Sequence, residues 1–509
     1  MKKIISLILT VTMLFCIATP ALTASAASGC VTIYVKGYGE TLVNSKGEYI
    51  WQGGPVNSML TGLKDVLDDL LKDLAYGALT GDYEDYCDRL YNAMAPAFSD
   101  LILDENGEAS DGSGIGGNVL TAPYHISYSQ FSKGSIEFPY DWRLSSEYNA
   151  QLLEQFINRV CREKGYSKVN VLGRCLGGNV VSALLENADE ATLKKINKVI
   201  MYVPSTEGVD FISALFAGEI VIDSQAVDNF IKYSLAENDK LTEAIDDELI
   251  QTVITIVQFV NQAKILGVGT DIIEDILDAV KDNVLARMVR DSYGGFVGYW
   301  NMVTDEYLEK AIAFVYNTPE LQEEYAEMIK KIRSYHENVQ VNARSTTHSV
   351  MDKYGIDVMV ISKYNYANFP LSKDAYAHSD NTALTSATSF GATVAKFGST
   401  LGDKYISAMP EENLKYLSAD KIIDASSCML PENTWFIKNI VHDNFPASID
   451  KLIDAFILND NMNVFTNESY PQYMNYDKET GAISAVTGID EDDIIKNDGI
   501  CERNMNGKL

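Results

Sequence analysis

Cys175 stands in Gly173-Arg174-Cys175-Leu176-Gly177-Gly178, between the apolar run Val169, Val171, Leu172 and helix-compatible residues that resume at Asn179. This reads as strand, sharp turn, helix, with a nucleophile candidate at the turn. The pentapeptide is G-x-S-x-G with cysteine in place of serine. A nucleophile on so tight a turn sits in strained backbone, so the positions two before and two after it must lack bulk. Gly173 and Gly177 meet that requirement. At the start of a helix, free N–H groups and the macrodipole favour a thiolate. The N–H of Leu176 would become one donor to an oxyanion. The plainer alternative is a small cysteine buried in a glycine-rich turn, so the case rests on its partners.

A thiol nucleophile benefits from an imidazole, and the imidazole from a carboxylate that sets its tautomer. With the nucleophile on such an elbow, these follow in the chain as acid, then histidine. Of five histidines, His125 precedes the elbow and His336 sits in a charged helix, where a solvated side chain is the easier reading. His348 leaves no room for an acid loop ahead of it. His378 and His442 survive, and His442, in Thr434 to Pro446, follows an apolar helix-like run where a closing loop should deliver a base. Asp380 is the candidate acid. It lies beyond the apolar run Ile356 to Ser362, on the edge that the elbow shares if the strands are parallel. Asp374 in the same loop is a rival, and Glu207 and Asp210 are weaker ones.

A second oxyanion donor is expected near the start of the mature chain. Val31 to Val35 reads as a strand and runs into Lys36-Gly37-Tyr38-Gly39-Glu40, which would present the N–H of Tyr38 or Gly37.

The elements that must position these residues follow from periodicity. Leu60, Leu63, Val66, Leu67, Leu70 and Leu71 recur at helical steps. A second amphipathic segment covers about Tyr83 to Phe98, and a polar, glycine-rich loop runs from Glu105 to Gly117. This block, about 55–118, reads as a helical insertion in the first part of a core spanning 27–205. A helix from Ser146 to Lys164, a strand from Lys168 to Leu172, the elbow helix and a strand from Lys198 to Val203 give the βαβ order of a mostly parallel sheet. Residues 206–345 break the alternation with helical stretches, including an apolar stripe from Leu249 to Val260 and helices at 271–289 and 306–336. They are expected as a helical cap over the active edge. The core resumes over 346–474, and 475–509 reads as an acidic tail. The fold class expected is α/β.

The first 26 residues read as a secretory signal: Lys2 and Lys3, an apolar run from Ile4 to Ala18, then Ala24-Ser25-Ala26. Cleavage removes two lysines and no acid, leaving a net charge of −32 from the −30 of the whole chain. Such a surface repels phosphate backbones and anionic bilayers, which argues against nucleic-acid binding. No second run is long and apolar enough to span a membrane. A secreted product is expected, with lipoprotein anchoring through Cys30 the lesser alternative. Six cysteines would remain, with no C-x-x-C pair or Cys/His spacing suited to zinc, so neither a metal nor another cofactor is expected.

The stretches Phe138-Pro-Tyr-Asp-Trp-Arg143, Val171-Leu-Gly-Arg-Cys-Leu-Gly-Gly178, His378 to Ala392 and Leu430 to His442 together resemble the lecithin:cholesterol acyltransferase-like group of α/β-hydrolase lipases. The resemblance implies an α/β-hydrolase fold, Cys175 as nucleophile, Asp380 as acid and His442 as base. It assigns the oxyanion site to Gly37, Tyr38 and Leu176. Asp141 to Arg143 match a structural or substrate-adjacent motif of that group. Departures are Cys175 where serine is usual, Arg174 where histidine is usual, and Asn381 where glycine is frequent. Cysteine elbows also occur in dienelactone hydrolases and in polyhydroxyalkanoate synthases, but a synthase needs cytoplasmic acyl-CoA. Two functions are therefore carried forward. One is an exported hydrolase or acyltransferase acting on a lipid-like or other small-molecule ester or thioester. The other is a catalytically retired scaffold serving as an extracellular binding or adhesion protein.

Overall fold

A computed structural model describes residues 30–38, 41–51, 56–221, 224–235, 278–490 and 494. The expected signal segment, the Leu249–Val260 stripe, the first part of the 271–289 helix, Gly39, Glu40 and Cys501 lie outside the described residues.

Eight strands form the main sheet: β1 (Thr32–Val35), β2 (Ser135–Phe138), β3 (Val169–Arg174), β4 (Ile196–Tyr202), β5 (Asp357–Tyr364), β6 (Thr434–Lys438), β7 (Tyr473–Tyr476) and β8 (Ile483–Ala485). Their spatial order is β8-β7-β6-β5-β4-β3-β1-β2. Every pairing is parallel except that of β7 with β8. Parallel strands share one carboxyl edge, so the loops leaving β1, β3, β5 and β6 all open on the same side.

Alternation along the strands separates two apolar layers. Val171, Val199, Met201, Val358 and Val360 face a cluster shared with helices α1 (Ser146–Lys164) and α2 (Leu176–Asn187). Leu172, Ile200, Tyr202, Met359, Ile361, Trp435 and Ile437 face the other cluster, with Leu452, Ile453 and Phe456 of helix α3 (Ala447–Leu458). Burial on both faces explains why these strands read as near-continuous apolar runs.

Helix α1 has the bounds expected from its stripe. Ser145 caps it by accepting from the N–H of Tyr148, and Gly165, at φ 73°, ends it. Three expectations are corrected. The run before His442 is not helix-like but strand β6, buried on both faces. The helix expected over 306–336 is broken: Thr318 caps a new start at Pro319, and a further helix runs Ala326–Tyr335. His336 is fully buried rather than solvated, its Nε2 3.0 Å from the carbonyl of Trp300. The segment read as a tail also contributes β8 and the end of β7. Tyr473, Met474 and Tyr476 bury against the sheet edge, and so short a pattern carries little periodic signal.

Candidate active site at the Cys175 elbow

Strand β3 ends at Arg174 and helix α2 begins at Leu176, leaving Cys175 alone between them with φ 51° and ψ −125°. Positive φ in a residue with a side chain is strained backbone. Close packing holds it there. A Cβ on Gly173 would stand 2.8 Å from the carbonyl oxygen of Gly177, and one on Gly177 would stand 2.2 Å from that of Val35. The elbow is thus wedged against the end of β1. Cys175 is partly exposed.

The loop after β1 presses on Cys175 itself. A Cβ on Gly37 would come within 2.9 Å of the Cys175 Cβ and 3.6 Å of its sulfur. The hydroxyl of Tyr140 donates to the carbonyl of Lys36 at 2.8 Å and lies 3.4 Å from that of Gly37. In a trans peptide the carbonyl and the next N–H point opposite ways, so the N–H groups of Gly37 and Tyr38 are turned away from Tyr140. Among the described residues, neither Tyr38 N–H nor Leu176 N–H has a backbone acceptor. The Tyr38 ring packs edge-on against Trp142 at 4.7 Å and against Trp51 and Tyr299, each at 5.3 Å.

His442 and Asp380 are brought together from loops 62 residues apart. Nδ1 of His442 lies 2.6 Å from Oδ2 of Asp380, and the backbone N–H of His442 donates to the Asp380 carbonyl at 2.8 Å. The other carboxylate oxygen accepts the N–H groups of Ala383 at 2.7 Å and Thr382 at 3.1 Å. Asn381, at φ 80°, turns this loop where glycine is frequent, a conformation asparagine tolerates better than most residues. Nε2 of His442 is buried without an aligned hydrogen-bond partner. It belongs to a ring that couples to Asp380 and then to Cys175.

The charges reinforce one another. Burial raises the Cys175 thiol, but the His442 imidazole, and after it the Arg174 guanidinium, outweigh burial and hold the thiol below its ordinary pKa. Burial disfavours the His442 imidazolium, yet Asp380 and Cys175 raise it well above the usual histidine range. Asp380 is pushed up by burial and pulled further down by His442, the Ala383 N–H and Lys363. The arrangement can hold a thiolate beside an imidazolium and use the pair for nucleophilic acyl chemistry.

A family model described as lecithin:cholesterol acyltransferase matches residues 130–368. That stretch carries β2 to β5, the Tyr140 to Arg143 motif and the elbow, within a largely parallel sheet of the α/β-hydrolase kind. That stretch is similar to the lecithin:cholesterol acyltransferase family, and the sheet is that of an α/β-hydrolase. Asp380 and His442 lie beyond the matched stretch. No curated protein matches the chain. A solved structure, "The crystal structure of Tle4-Tli4 complex", is similar at 13% identity and a TM-score of 0.19, over 37% of this chain and 48% of that one. The alignment therefore spans about half the length of that chain.

Other residues singled out in the hydrolase fall elsewhere. Glu207 pairs with Arg344 at 2.6 Å. Asp210 is buried and accepts from Asn368 at 2.7 Å. His378 is buried beside Phe397. Asp141 and Arg143 form a buried pair at 2.7 Å, and Arg143 also donates to the carbonyl of Leu101 and to Ser113. A cavity of about 1120 Å³ lies between the 107–120 loop and the first turns of α1, and neither Cys175 nor His442 lines it. Among the described residues there is no metal-binding cluster and no helix long and apolar enough to cross a membrane. Sequence reasoning gave no role to Tyr140, Tyr202 or Lys363. A lysine closing the apolar strand Asp357–Tyr364 was the available signal for the last of these.

Proposed function

We propose that this protein is an exported thiol acyl hydrolase or acyltransferase that acts on esters or thioesters, lipid-like ones included, through Cys175, His442 and Asp380. The Cys175 thiolate adds to the acyl carbonyl, and the oxyanion is held by the N–H groups of Leu176 and of Tyr38 or Gly37. Collapse breaks the bond to the leaving alkoxide or thiolate, which takes a proton from the His442 imidazolium. Water, or an acceptor alcohol, then gives its proton to His442 and attacks the acyl-cysteine. The carbon–sulfur bond breaks, and acid or transferred ester is released with the thiolate regenerated. Asp380 stays ionised and fixes the tautomer that leaves Nε2 for these transfers. Thioesters and activated esters suit the enzyme best, because a thiolate is itself a good leaving group.

The observation that carries this reading is the 2.6 Å contact of His442 with Asp380, on an imidazole that also holds the Cys175 thiol below its ordinary pKa. That coupling favours it over a retired scaffold, which has no need to keep a thiol depressed. Turnover of short p-nitrophenyl esters and acyl thioesters by the wild type, Cys175→Ala and His442→Ala tests it. Losses of at least about 100-fold are expected from each change. Equal turnover in all three would leave the binding-scaffold reading.

A further inference from the structure

We propose that Lys363 is a positioning residue of the Cys175 site, holding the loop that carries His442 so that the imidazole faces the thiol at a fixed reach. This rests on the Cys175–His442–Asp380 reading above. Lys363 lies near the end of β5, fully buried. Its Nζ donates to three backbone carbonyls of one loop: Val441 at 2.8 Å, His442 at 2.8 Å and Asn444 at 2.7 Å. These are the residue bearing the base and neighbours on both sides of it. An ammonium has three N–H donors and a neutral amine two, so only the charged form satisfies all three acceptors.

The same residue reaches the acid loop. Its own carbonyl accepts from the hydroxyl of Thr385 at 2.9 Å, five residues past Asp380. One lysine thus ties together the segments that deliver acid and base. Tyr202 completes the clamp: its ring lies 4.7 Å beneath the Lys363 ammonium, and its hydroxyl donates to the Asn444 carbonyl at 2.8 Å. The charged groups around Lys363 are Asp380, Arg174, Asp443 and Cys175, all belonging to the site or adjoining it. Burial alone would depress an ammonium, and here it pushes Lys363 down to about 7. The three carbonyls and the aromatic ring favour the charged form against that burial.

Lys198 provides the internal comparison. It is equally buried, and its ammonium donates to the carbonyls of Phe456 at 2.8 Å and Asn459 at 2.7 Å, at the end of α3. A lysine that only fills and caps should behave as Lys198 does.

The test is the pH dependence of Cys175 alkylation by iodoacetamide in the full chain, followed on the Cys175 peptide, together with thioester kinetics and thermal melts. Lys363→Met is expected to raise the apparent thiol pKa by about one unit, a tenfold loss of thiolate below that pKa. It should also lower kcat at least severalfold with KM little changed. Lys363→Gln, which keeps a polar head, should show a smaller shift in the same direction and carries the test if the methionine variant does not fold. Lys198→Met should lower the melting temperature and leave the thiol titration where it was. A folded Lys363→Met or Lys363→Gln with the wild-type thiol pKa and kcat would overturn the proposal. So would a Lys198→Met shift of equal size. His442→Ala separates the two levels. If it leaves the wild-type thiol titration unmoved, the triad reading has failed and this inference falls with it. If it moves the titration while the Lys363 variants do not, only the inference falls.

Discussion

Arg174, the residue before the elbow cysteine, bonds Asp443, the residue after His442, at 3.1 Å. The pair joins the neighbours of Cys175 and His442, and its two charges act on the thiol with opposite signs. Arg174→Gln should therefore raise the Cys175 pKa and slow alkylation at pH 7, whereas Asp443→Asn should lower it and speed alkylation. Both are read from iodoacetamide rate against pH. Shifts of the same sign would mean that the pair acts by geometry rather than by charge.

The titrations of the site set a pH profile with a definite shape. Acylation needs the thiolate, so activity should rise through a thiol pKa below the ordinary cysteine value. It should fall on the alkaline side, through the raised pKa of His442, as the imidazolium that protonates the leaving group is lost. A plateau between those two pKa values results, measurable as kcat/KM on a thioester.

Stability follows the same two groups with opposite signs. The Asp380 pKa is lower in the folded chain, so its contribution is present above the unfolded carboxylate pKa and is lost as pH falls through the folded one. The His442 pKa is raised, so its contribution is full below the unfolded histidine pKa and is lost as pH rises through the folded one. Asp380→Asn should accordingly flatten the acid limb of a denaturation-against-pH series.

Tyr140→Phe removes the hydroxyl that holds the Lys36 and Gly37 carbonyls. Losing one such hydrogen bond costs about 1 kcal/mol, which corresponds to roughly fivefold in kcat if the N–H groups opposite those carbonyls serve the oxyanion. KM should barely change. An equal loss in kcat and in global stability, read by urea melts, would assign Tyr140 to packing alone.

Arg143→Ala separates the buried motif from the chemistry. It strands Asp141 in the interior and should cost about 3–5 kcal/mol in a urea melt. The thiol pKa of the folded fraction should stay put, because neither residue of this pair acts on Cys175.

Much of this was legible before any fold was drawn. Gly-x-Cys-x-Gly between an apolar run and a helix announces a strained turn, because only glycines fit where the backbone of the next element closes in, as Gly173 and Gly177 do. The parallel order of β3, α2 and β4 followed from the same local periodicities. The strand before His442 was misread because burial on both faces erases the alternation that distinguishes strand from helix.

By itself, the amino-acid sequence determined the elbow, the α/β alternation and the acidic character of the chain, since these depend on neighbours a few residues apart or on composition. Tertiary structure alone decided that Asp380 meets His442, that Lys363 bonds the loop carrying His442, and that Tyr140 holds the carbonyls of the peptides beside Gly37. Those contacts join residues from 62 to 104 positions apart. Side chains so distant leave no periodic trace in the chain, and they meet only because a parallel sheet brings the ends of its strands to one edge.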